Sequence, residues 1–266
     1  MTQAPEHDES VRQFYETYGW EQGSSGRYQD AEAFVDTRPV MDEYHRRRDQ
    51  RVTRLLAGDG PLLDLGCGGA PLLVETGDDL RVNVDFAVAA LRGARQALGT
   101  SATYLQADIC RLPFPADTFG RVLCAHVLYH ITPERQLLAL KEISRVLRPG
   151  GTAVLVYIQT FPRLQSLVRR LRLDSRPVDD LPPLAYHPVD HRQLQAGLRD
   201  VADVEVRSWS ILAPEITRTM VPGGRVGQAM VAGVTAVEDR LPRFSARLAR
   251  YPMLVVRKGR RQVEPT

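Results

Sequence analysis

Short apolar runs alternate with longer amphipathic stretches along most of the chain. The run Leu62–Leu65 breaks abruptly into glycines, as a buried strand does where it ends in a tight turn. Between Glu134 and Leu147 apolar residues recur every three or four positions, which predicts an amphipathic helix that Thr132-Pro133 opens. Strands that alternate with helices in this way predict a mostly parallel sheet with both faces covered.

Further runs of the same kind complete the prediction. Pro149-Gly150-Gly151 ends the long helix and starts a strand, because proline and glycine together stop a helix. Besides Leu62–Leu65 and the strand that follows Gly151 up to residue 156, strands are predicted at 82–86, 202–209 and 251–257. Further helices are predicted at about 40–56 and 226–240.

The glycine-rich turn that follows Leu65 says most about function. Gly66 and Gly68 allow the backbone to turn with positive φ, and they let a ligand approach where a Cβ would block it. After the first strand of an α/β sheet, such a turn is where a nucleotide-like cofactor lies. A dinucleotide fingerprint needs a third glycine, but Pro71 stands there, so the turn is a poor cradle for a pyrophosphate.

S-adenosylmethionine (SAM) is the second candidate for this turn. It carries no phosphate and needs only close approach of the backbone, and Asp64 offers a carboxylate to the ammonium of its methionine end. Asp85 ends the second predicted strand, where an acid can accept hydrogen bonds from the ribose hydroxyls of either cofactor. An ordinary glycine turn and a solvated strand-end aspartate are the alternatives without a ligand.

Five segments together resemble the motifs of class I SAM-dependent methyltransferases. In chain order they are 62–71, 82–86, 104–114, 117–126 and 146–156. The resemblance implies that 104–109 is the third strand and 117–126 the fourth. Their order and spacing are similar to those of the small-molecule branch that includes the ubiquinone/menaquinone-type C-methyltransferases. Ala70 and Gly120 depart from the glycine and the aspartate that are common at these two positions.

The resemblance implies both a fold and a cofactor site. The fold would be α/β, a doubly wound, Rossmann-like sheet of seven mostly parallel strands with the last strand antiparallel beside the sixth. SAM would be the cofactor, with Asp85 at its ribose and Asp108 at its adenine; a turn or helix-capping role is the alternative for Asp108. The residues expected at the cofactor are Asp64, Gly66, Cys67, Gly68, Asp85, Phe86, Asp108, Ile109, His126 and Tyr15.

His130 is the candidate catalytic residue, as a general base. It follows the fourth strand, whose carboxyl end borders the methyl group in the family, and histidine titrates near neutral pH. The alternative is a structural histidine that bonds a backbone carbonyl. His126 would share a face with His130 if the segment is helical, and its backbone is expected beside SAM. No third ligand stands at a known spacing, so no metal site is expected.

Aromatic residues are dense between Phe14 and Trp20. In related enzymes an N-terminal helix with aromatic side chains folds over the cofactor, and a ring such as that of Tyr15 attracts a sulfonium cation. The alternative is that these rings only pack the N-terminal helix onto the core. Tyr186, much later in the chain, is a weaker candidate for contact with the methyl acceptor.

Composition narrows the classes of partner. A net charge of +3, from 35 basic and 32 acidic residues, does not point to nucleic acid. Three cysteines without metal spacing indicate a reducing compartment, and with no visible signal peptide we expect a cytoplasmic protein. No apolar run reaches the roughly 18 residues that span a bilayer. We expect a monomer or homodimer.

The same reasoning divides the chain into parts. Residues 1–57 are expected to form an N-terminal helical segment or lid, 58–258 the SAM-binding domain and 259–266 a tail. Two stretches exceed a minimal core, at about 159–194 and 211–250. Insertions at these positions in the family build the substrate pocket; a dimer contact or plain surface packing is the alternative.

The sequence thus predicts a methyltransferase that moves a methyl group from SAM to a small, partly hydrophobic molecule. Two other classes stay open. A non-catalytic SAM-binding partner of another enzyme would bind SAM without turnover. A nucleotide-dependent oxidoreductase is disfavoured by Pro71. The sequence does not distinguish methylation of carbon, nitrogen or oxygen.

Overall fold

All seven predicted strands lie in one sheet of the computed structural model. The described part of the chain comprises residues 11–20, 28, 35–72, 74, 79–159, 186–187, 189, 191–198 and 202–259. The strands are β1 (Leu62–Leu65), β2 (Arg81–Asp85), β3 (Ala102–Gln106), β4 (Phe119–Ala125), β5 (Leu147–Val156), β6 (Ala202–Ser210) and β7 (Tyr251–Lys258).

The order of the strands is β3-β2-β1-β4-β5-β7-β6. β1 pairs in parallel with both β2 and β4, so that Leu65 lies beside Val84 on one side and Cys124 on the other. β7 runs antiparallel to both of its neighbours, β5 and β6. The doubly wound α/β prediction is therefore confirmed, including the antiparallel last strand. The direction of winding reverses at β1 and β4, which is where ligands bind in such sheets.

Helices connect the strands and cover the sheet. They are α1 (Asp42–Leu55), α2 (Val88–Leu98), α3 (Pro133–Val146), α4 (His191–Leu198), α5 (Pro214–Met220), α6 (Gly224–Arg240) and α7 (Pro242–Ser245). Proline begins α3, α5 and α7, where its missing N–H would have no partner inside the helix in any case. A π-helical turn spans Tyr15–Gly19 near the start of the chain, and short 3-10 turns span Pro39–Met41 and Leu128–His130.

The core lies on both faces of the sheet. Leu63 and Leu65 of β1 belong to the cluster that packs against α3, while Leu62 belongs to the cluster on the opposite face, with Leu56 and Trp209. Burial on both sides explains why β1 reads as a continuous apolar run with one acid rather than as an alternating strand. Because β1, β2 and β4 are parallel neighbours, the loops that follow their carboxyl ends lie at the same edge of the sheet.

Some boundaries differ from the sequence prediction. β3 ends at Gln106, so Asp108 and Ile109 lie in the loop after the strand. β5 begins at Leu147 and already contains Pro149–Gly151, with the register to β4 shifted between Phe119 and Arg121. The irregular register lets the proline and the glycines stay within the strand, because they need not occupy regular ladder positions there.

The second predicted insertion, 211–250, contains α5, α6 and α7. A third cluster joins it to the segment before β1, with Met41 and Tyr44 packed against Val221 and Val231. Most of the first insertion, 159–194, and the whole of residues 1–10 lie outside the described residues, so the proposed division into domains stays a prediction. Within the described part of the chain, the helices fall short of the length and apolar character that crossing a membrane requires.

Candidate functional site

The glycine turn after β1 adopts the conformation that its sequence predicts. Gly66 and Gly68 have φ of 64° and 63°, in the left-handed region that favours glycine. The N–H groups of Gly66 and Cys67 both donate to the carbonyl of Val84 on β2, at 2.7 and 3.1 Å. A Cβ at Gly66 would overlap Cγ2 of Val127, so an alanine there meets both strain and a clash.

Asp85 lies at the carboxyl end of β2 and is joined to this turn. Its Oδ2 accepts the N–H of Gly68 and its Oδ1 accepts the N–H of Ala87, both at 3.0 Å. The side chain is buried, and burial raises the pKa of the carboxyl to about 6 although backbone N–H groups favour its ionised form. The carboxylate keeps lone pairs for further donors at the carboxyl edge of the sheet.

Asp64 has a partner within the sheet. Its Oδ2 lies 2.7 Å from Nη2 of Arg81 on the neighbouring strand, and both side chains are buried. Burial raises the pKa of Asp64 to about 6, against the lowering effect of the guanidinium. The same carboxylate already neutralises a buried arginine. Its role toward a ligand ammonium stays a prediction.

Asp108 and Ile109 follow β3 at the same edge. Oδ1 of Asp108 accepts the N–H of Cys110 at 2.8 Å, and its Oδ2 pairs with Arg135 of α3 at 2.7 Å. These donors hold the pKa of Asp108 below its usual value even though partial burial raises it. Ile109 is buried, whereas the Asp108 carboxylate is about half exposed, so it can still meet a polar ligand group.

The two histidines after β4 lie in different surroundings. Residues 128–130 form a 3-10 turn rather than an α-helix, so the shared face expected of a helix does not arise. His126 has φ of 63°, and its ring lies 4.7 Å from that of Trp209 and 5.3 Å from that of Tyr251. Burial among these rings lowers the pKa of His126 to about 3. Its imidazole is therefore neutral throughout the physiological range.

His130 is buried beside the N-terminal segment. Its Nε2 lies 3.1 Å from the hydroxyl of Tyr15, and the two rings meet edge to face. The rings of Tyr129 and Tyr186 lie 4.4 and 5.4 Å from its own. The structure thus brings the predicted base together with two aromatic residues that the sequence singled out separately, Tyr15 and Tyr186.

The N-terminal aromatic residues cover the glycine turn. The ring of Tyr15 stacks with that of Trp20 at 5.8 Å and meets Phe86 at 6.4 Å. Trp20 lies over the turn so closely that a Cβ at Gly68 would overlap its ring. The predicted lid position and the predicted cofactor residues Tyr15 and Phe86 therefore come together at one place.

Glu16 holds this cover in place through a contact that the sequence does not predict. Its two carboxylate oxygens accept the N–H groups of Val88 and Ala89, at 2.7 and 3.1 Å, at the start of α2. A carboxylate favours the positive end of a helix dipole and satisfies N–H groups that lack partners inside the helix. The contact joins residues that are far apart in sequence, so no local pattern marks it.

The cysteines and the acids of the described residues form no metal centre. Cys67, Cys110 and Cys124 form no disulfide bonds with one another, and burial raises the pKa of both Cys67 and Cys124. Searched over the described residues, no group of three or more histidine, cysteine or acidic side chains is arranged to hold a metal ion.

A protein-family model described as a methyltransferase domain matches residues 63–155. The matched stretch runs from β1 to β5. It contains the glycine turn, both strand-end aspartates and both histidines discussed above.

Two curated proteins share part of this stretch. The UbiE ubiquinone/menaquinone biosynthesis C-methyltransferase of Coxiella burnetii is 31% identical over 113 residues, which cover 41% of this chain and 43% of that protein. A human protein named probable tRNA methyltransferase 9B is 28% identical over 129 residues, 47% of this chain and 28% of its own length. The chain therefore spans less than half the length of these relatives.

A solved structure shares nearly the whole fold. The geranyl diphosphate C-methyltransferase from Streptomyces coelicolor A3(2), determined with Mg²⁺, geranyl diphosphate and S-adenosyl-L-homocysteine, has a TM-score of 0.57, covering 96% of this chain and 97% of its own. The sequences are 14% identical, so this likeness concerns the fold alone.

Proposed function

We propose that this chain, whose residues 63–155 form a class I SAM-dependent methyltransferase domain, transfers a methyl group from SAM to a small molecule. One observation supports the proposal above the others. The left-handed turn Gly66–Gly68 meets the buried carboxylate of Asp85 at the carboxyl edge of the sheet, where the winding reverses. The turn offers backbone without side chains, and the aspartate offers a hydroxyl acceptor beside it.

The residues at this edge fit SAM. We propose that Gly66, Cys67 and Gly68 pass close to its methionine end, with Asp64 behind them, and that Asp85 accepts its ribose hydroxyls. The remaining proposed contacts are Phe86, Asp108, Ile109, the backbone of His126 and the ring of Tyr15. When bound, SAM supplies a methyl group on a cationic sulfur, already activated for displacement.

The chain's own contribution is alignment and exclusion of water. Tyr15, Trp20 and Phe86 form an apolar cover, and closure of such a cover removes water from the reacting atoms. His130, with its Nε2 against the Tyr15 hydroxyl, is the group we propose to take a proton from an acceptor that carries one. The nearby rings of Tyr129 and Tyr186 favour an acceptor with apolar surface.

A nucleic-acid acceptor is the second candidate, because one partial relative is named as a tRNA methyltransferase. The decisive experiment incubates the protein with labelled SAM and, in separate reactions, a fraction of small metabolites or total tRNA. We expect the label in a small molecule. Label in tRNA would replace the proposed acceptor, and SAM binding without transfer to either pool would favour the non-catalytic SAM-binding partner.

Replacing His130 by glutamine tests its role as a base. We expect kcat to fall by about 100-fold or more, while the affinity for SAM stays the same, because proton transfer by a positioned side chain contributes about that much. His45→Gln, a histidine of α1, is the matched control. An unchanged kcat in His130→Gln would reduce His130 to a structural residue.

Trp20 offers a direct signal of binding. The chain has two tryptophans, so Trp209→Phe leaves Trp20 as the single indole. Since Trp20 covers the glycines that we propose contact SAM, the ligand has to move the ring or stack against it. We expect the emission of this variant to change with SAM concentration and to saturate at the calorimetric Kd. Trp20→Phe should give a smaller change; equal changes in both variants would contradict the proposed position of the cover.

A further inference from the structure

The outer surface of the second insertion carries an exposed row of large apolar side chains. These side chains, the outer strip, are exposed by 42–66% and belong to Val226, Met230, Val237, Leu241, Phe244 and Leu248. Monomeric proteins scatter such residues singly over their surfaces, whereas here they follow one another along α6 and α7. An exposed apolar row of this kind is typical of a surface that binds a partner.

Helical spacing shows that the part of the strip on α6 forms a second face of that helix. Val226, Met230 and Val237 lie four and then seven residues apart, which places them on one side of the helix. The buried residues of α6, among them Val231 and Glu238, lie on another side and already pack against α1 and β6. Core packing thus accounts for one face of α6 and leaves the other apolar and exposed.

Exposed arginines lie beside the strip, and the acids next to it in the sequence are already paired. Arg225, Arg240 and Arg247 are exposed, and within the described part of the chain they form no ion pair. Glu238 is fully buried against Arg51, and Asp239 pairs with the same guanidinium at 2.8 Å. Helical spacing places Arg225 and Arg240 on the same side of the strip, so the surface that a partner meets is apolar with a cationic border on that side.

We propose that the outer strip docks the protein onto an anionic lipid surface, a role that lies beyond methyl transfer and does not depend on it. Apolar side chains on one helical face, flanked by arginines, are the combination that lies in the plane of a bilayer interface. The apolar side chains enter the boundary between headgroups and acyl chains, while the arginines stay at the anionic headgroups. Nothing crosses the membrane in this arrangement.

The charge pattern disfavours a second copy of the chain as the occupant. A two-fold contact pairs the same strip with itself. In an antiparallel arrangement of the two α6 helices, Arg225 of one copy would approach Arg240 of the other, because both arginines lie on the same side of the strip. That contact brings like charges together, whereas anionic lipid compensates every arginine.

The shape of the strip favours lipid over an acidic protein segment. A protein partner for a single helix face needs a groove that receives it. A lipid interface adapts to a convex row of side chains without such a groove. The absence of aromatic anchors other than Phe244 within the strip also differs from the composition of protein interface centres.

Co-sedimentation with vesicles tests this proposal. We expect the protein to bind vesicles of phosphatidylcholine with about a quarter phosphatidylglycerol, and to bind pure phosphatidylcholine vesicles at least about tenfold more weakly. Binding should weaken as salt rises. The double variant Met230→Glu/Val237→Glu should lose at least about tenfold in partitioning, and Arg225→Gln/Arg247→Gln about tenfold.

Leu138→Glu is the matched control, because Leu138 is a similarly exposed leucine on α3, far from the strip in the sequence. It should bind vesicles as the parent does, and urea unfolding should show that the strip variants remain folded. Equal binding to both kinds of vesicle, no binding to anionic vesicles, or equal losses in Leu138→Glu would overturn the proposal. So would self-association in solution that the Met230→Glu/Val237→Glu variant abolishes, since a second copy would then cover the strip.

Discussion

Replacing Arg51 by methionine is expected to lower the free energy of unfolding by about 3–5 kcal/mol, the usual cost of leaving a buried charge without its partner. Arg51 lies on α1, and its Nη1 pairs at 2.8 Å with Glu238 of α6, whose side chain is fully buried. Its Nε also pairs with Asp239 at 2.8 Å. The variant therefore leaves the carboxylates of Glu238 and Asp239 without the arginine that neutralises them.

Glu238 organises this part of the molecule. Its Oε1 accepts the hydroxyl of Tyr44 at 3.0 Å, the hydroxyl of Ser208 at 3.1 Å and the N–H of Ile211 at 2.6 Å. One carboxylate thus ties α1, β6 and the start of the second insertion together. Loss of its counter-charge should loosen α6 against the rest of the chain, so the protection of α6 amides from hydrogen exchange should fall as well.

The loss should depend on pH. Burial raises the pKa of Glu238, and without Arg51 nothing offsets that burial to the same degree. Above the pKa of the unfolded chain the folded variant binds a proton that the unfolded chain does not, so its stability falls as pH rises. We therefore expect a larger loss at about pH 8 than at about pH 5.

Urea unfolding measures this effect, and two variants control it. Arg46→Met removes an arginine from the exposed side of the same helix and should change the unfolding free energy little. The double variant Arg51→Met/Glu238→Gln removes both charges and should recover part of the loss. Similar losses in Arg46→Met and Arg51→Met would show that the buried pair is not what holds α6.

Replacing Asp85 by asparagine is expected to weaken SAM binding by about 10- to 150-fold, since a hydrogen bond to a charged group contributes about 1.5–3 kcal/mol. The carboxylate accepts two backbone N–H groups, from Gly68 and Ala87, and so is fixed at the end of β2. An asparagine of the same shape must turn its NH₂ group toward one of these donors or toward the ribose. In either case it loses an acceptor.

Affinity for SAM should rise with pH up to about 6 and then level off. Burial raises the pKa of Asp85 to about 6, so below that value the folded protein carries a protonated carboxyl. In the proposed contact the ribose hydroxyls donate to the ionised form, so binding should release the proton. The contribution of Asp85 to the stability of the fold depends on pH in the opposite direction to the affinity for SAM. The folded chain binds this proton more tightly than the unfolded one, so Asp85 contributes stability at low pH that is lost as pH rises from about 4 to about 6.

Calorimetric titration across this pH range gives both results. Asp85→Asn should bind weakly with little dependence on pH, which separates Asp85 from Asp64, whose pKa burial also raises to about 6. Asp203→Asn, an exposed aspartate of β6, should bind SAM as the parent does. If Asp85→Asn kept the parent's affinity, the ribose would have to bind elsewhere, although the class of the domain would stand.

The sequence determined the sheet and the turn because both depend on residues that are neighbours along the chain. Short apolar or alternating runs marked the strands, and the glycines after Leu65 marked the turn whose positive φ values the structure has. The class of the domain was indicated by the resemblance of five segments, in order, to the motifs of a known family, and the family model matches the same part of the chain. Individual ends moved by a few residues, as at β3, where register with β2 decides the boundary.

Tertiary structure alone decided which polar groups meet. Asp64 lies against Arg81, Glu16 against the start of α2 and Tyr15 against His130, and each pair joins segments that no periodicity links. Tertiary structure also decided that the outer strip is exposed. Val226, Met230 and Val237 are no less apolar than Val231 on the buried side of α6, and the packing of α6 against α1 and β6 determines which side faces outward. A one-dimensional pattern records how apolar a residue is, whereas the partners of a side chain are fixed by which surfaces the folded chain brings into contact.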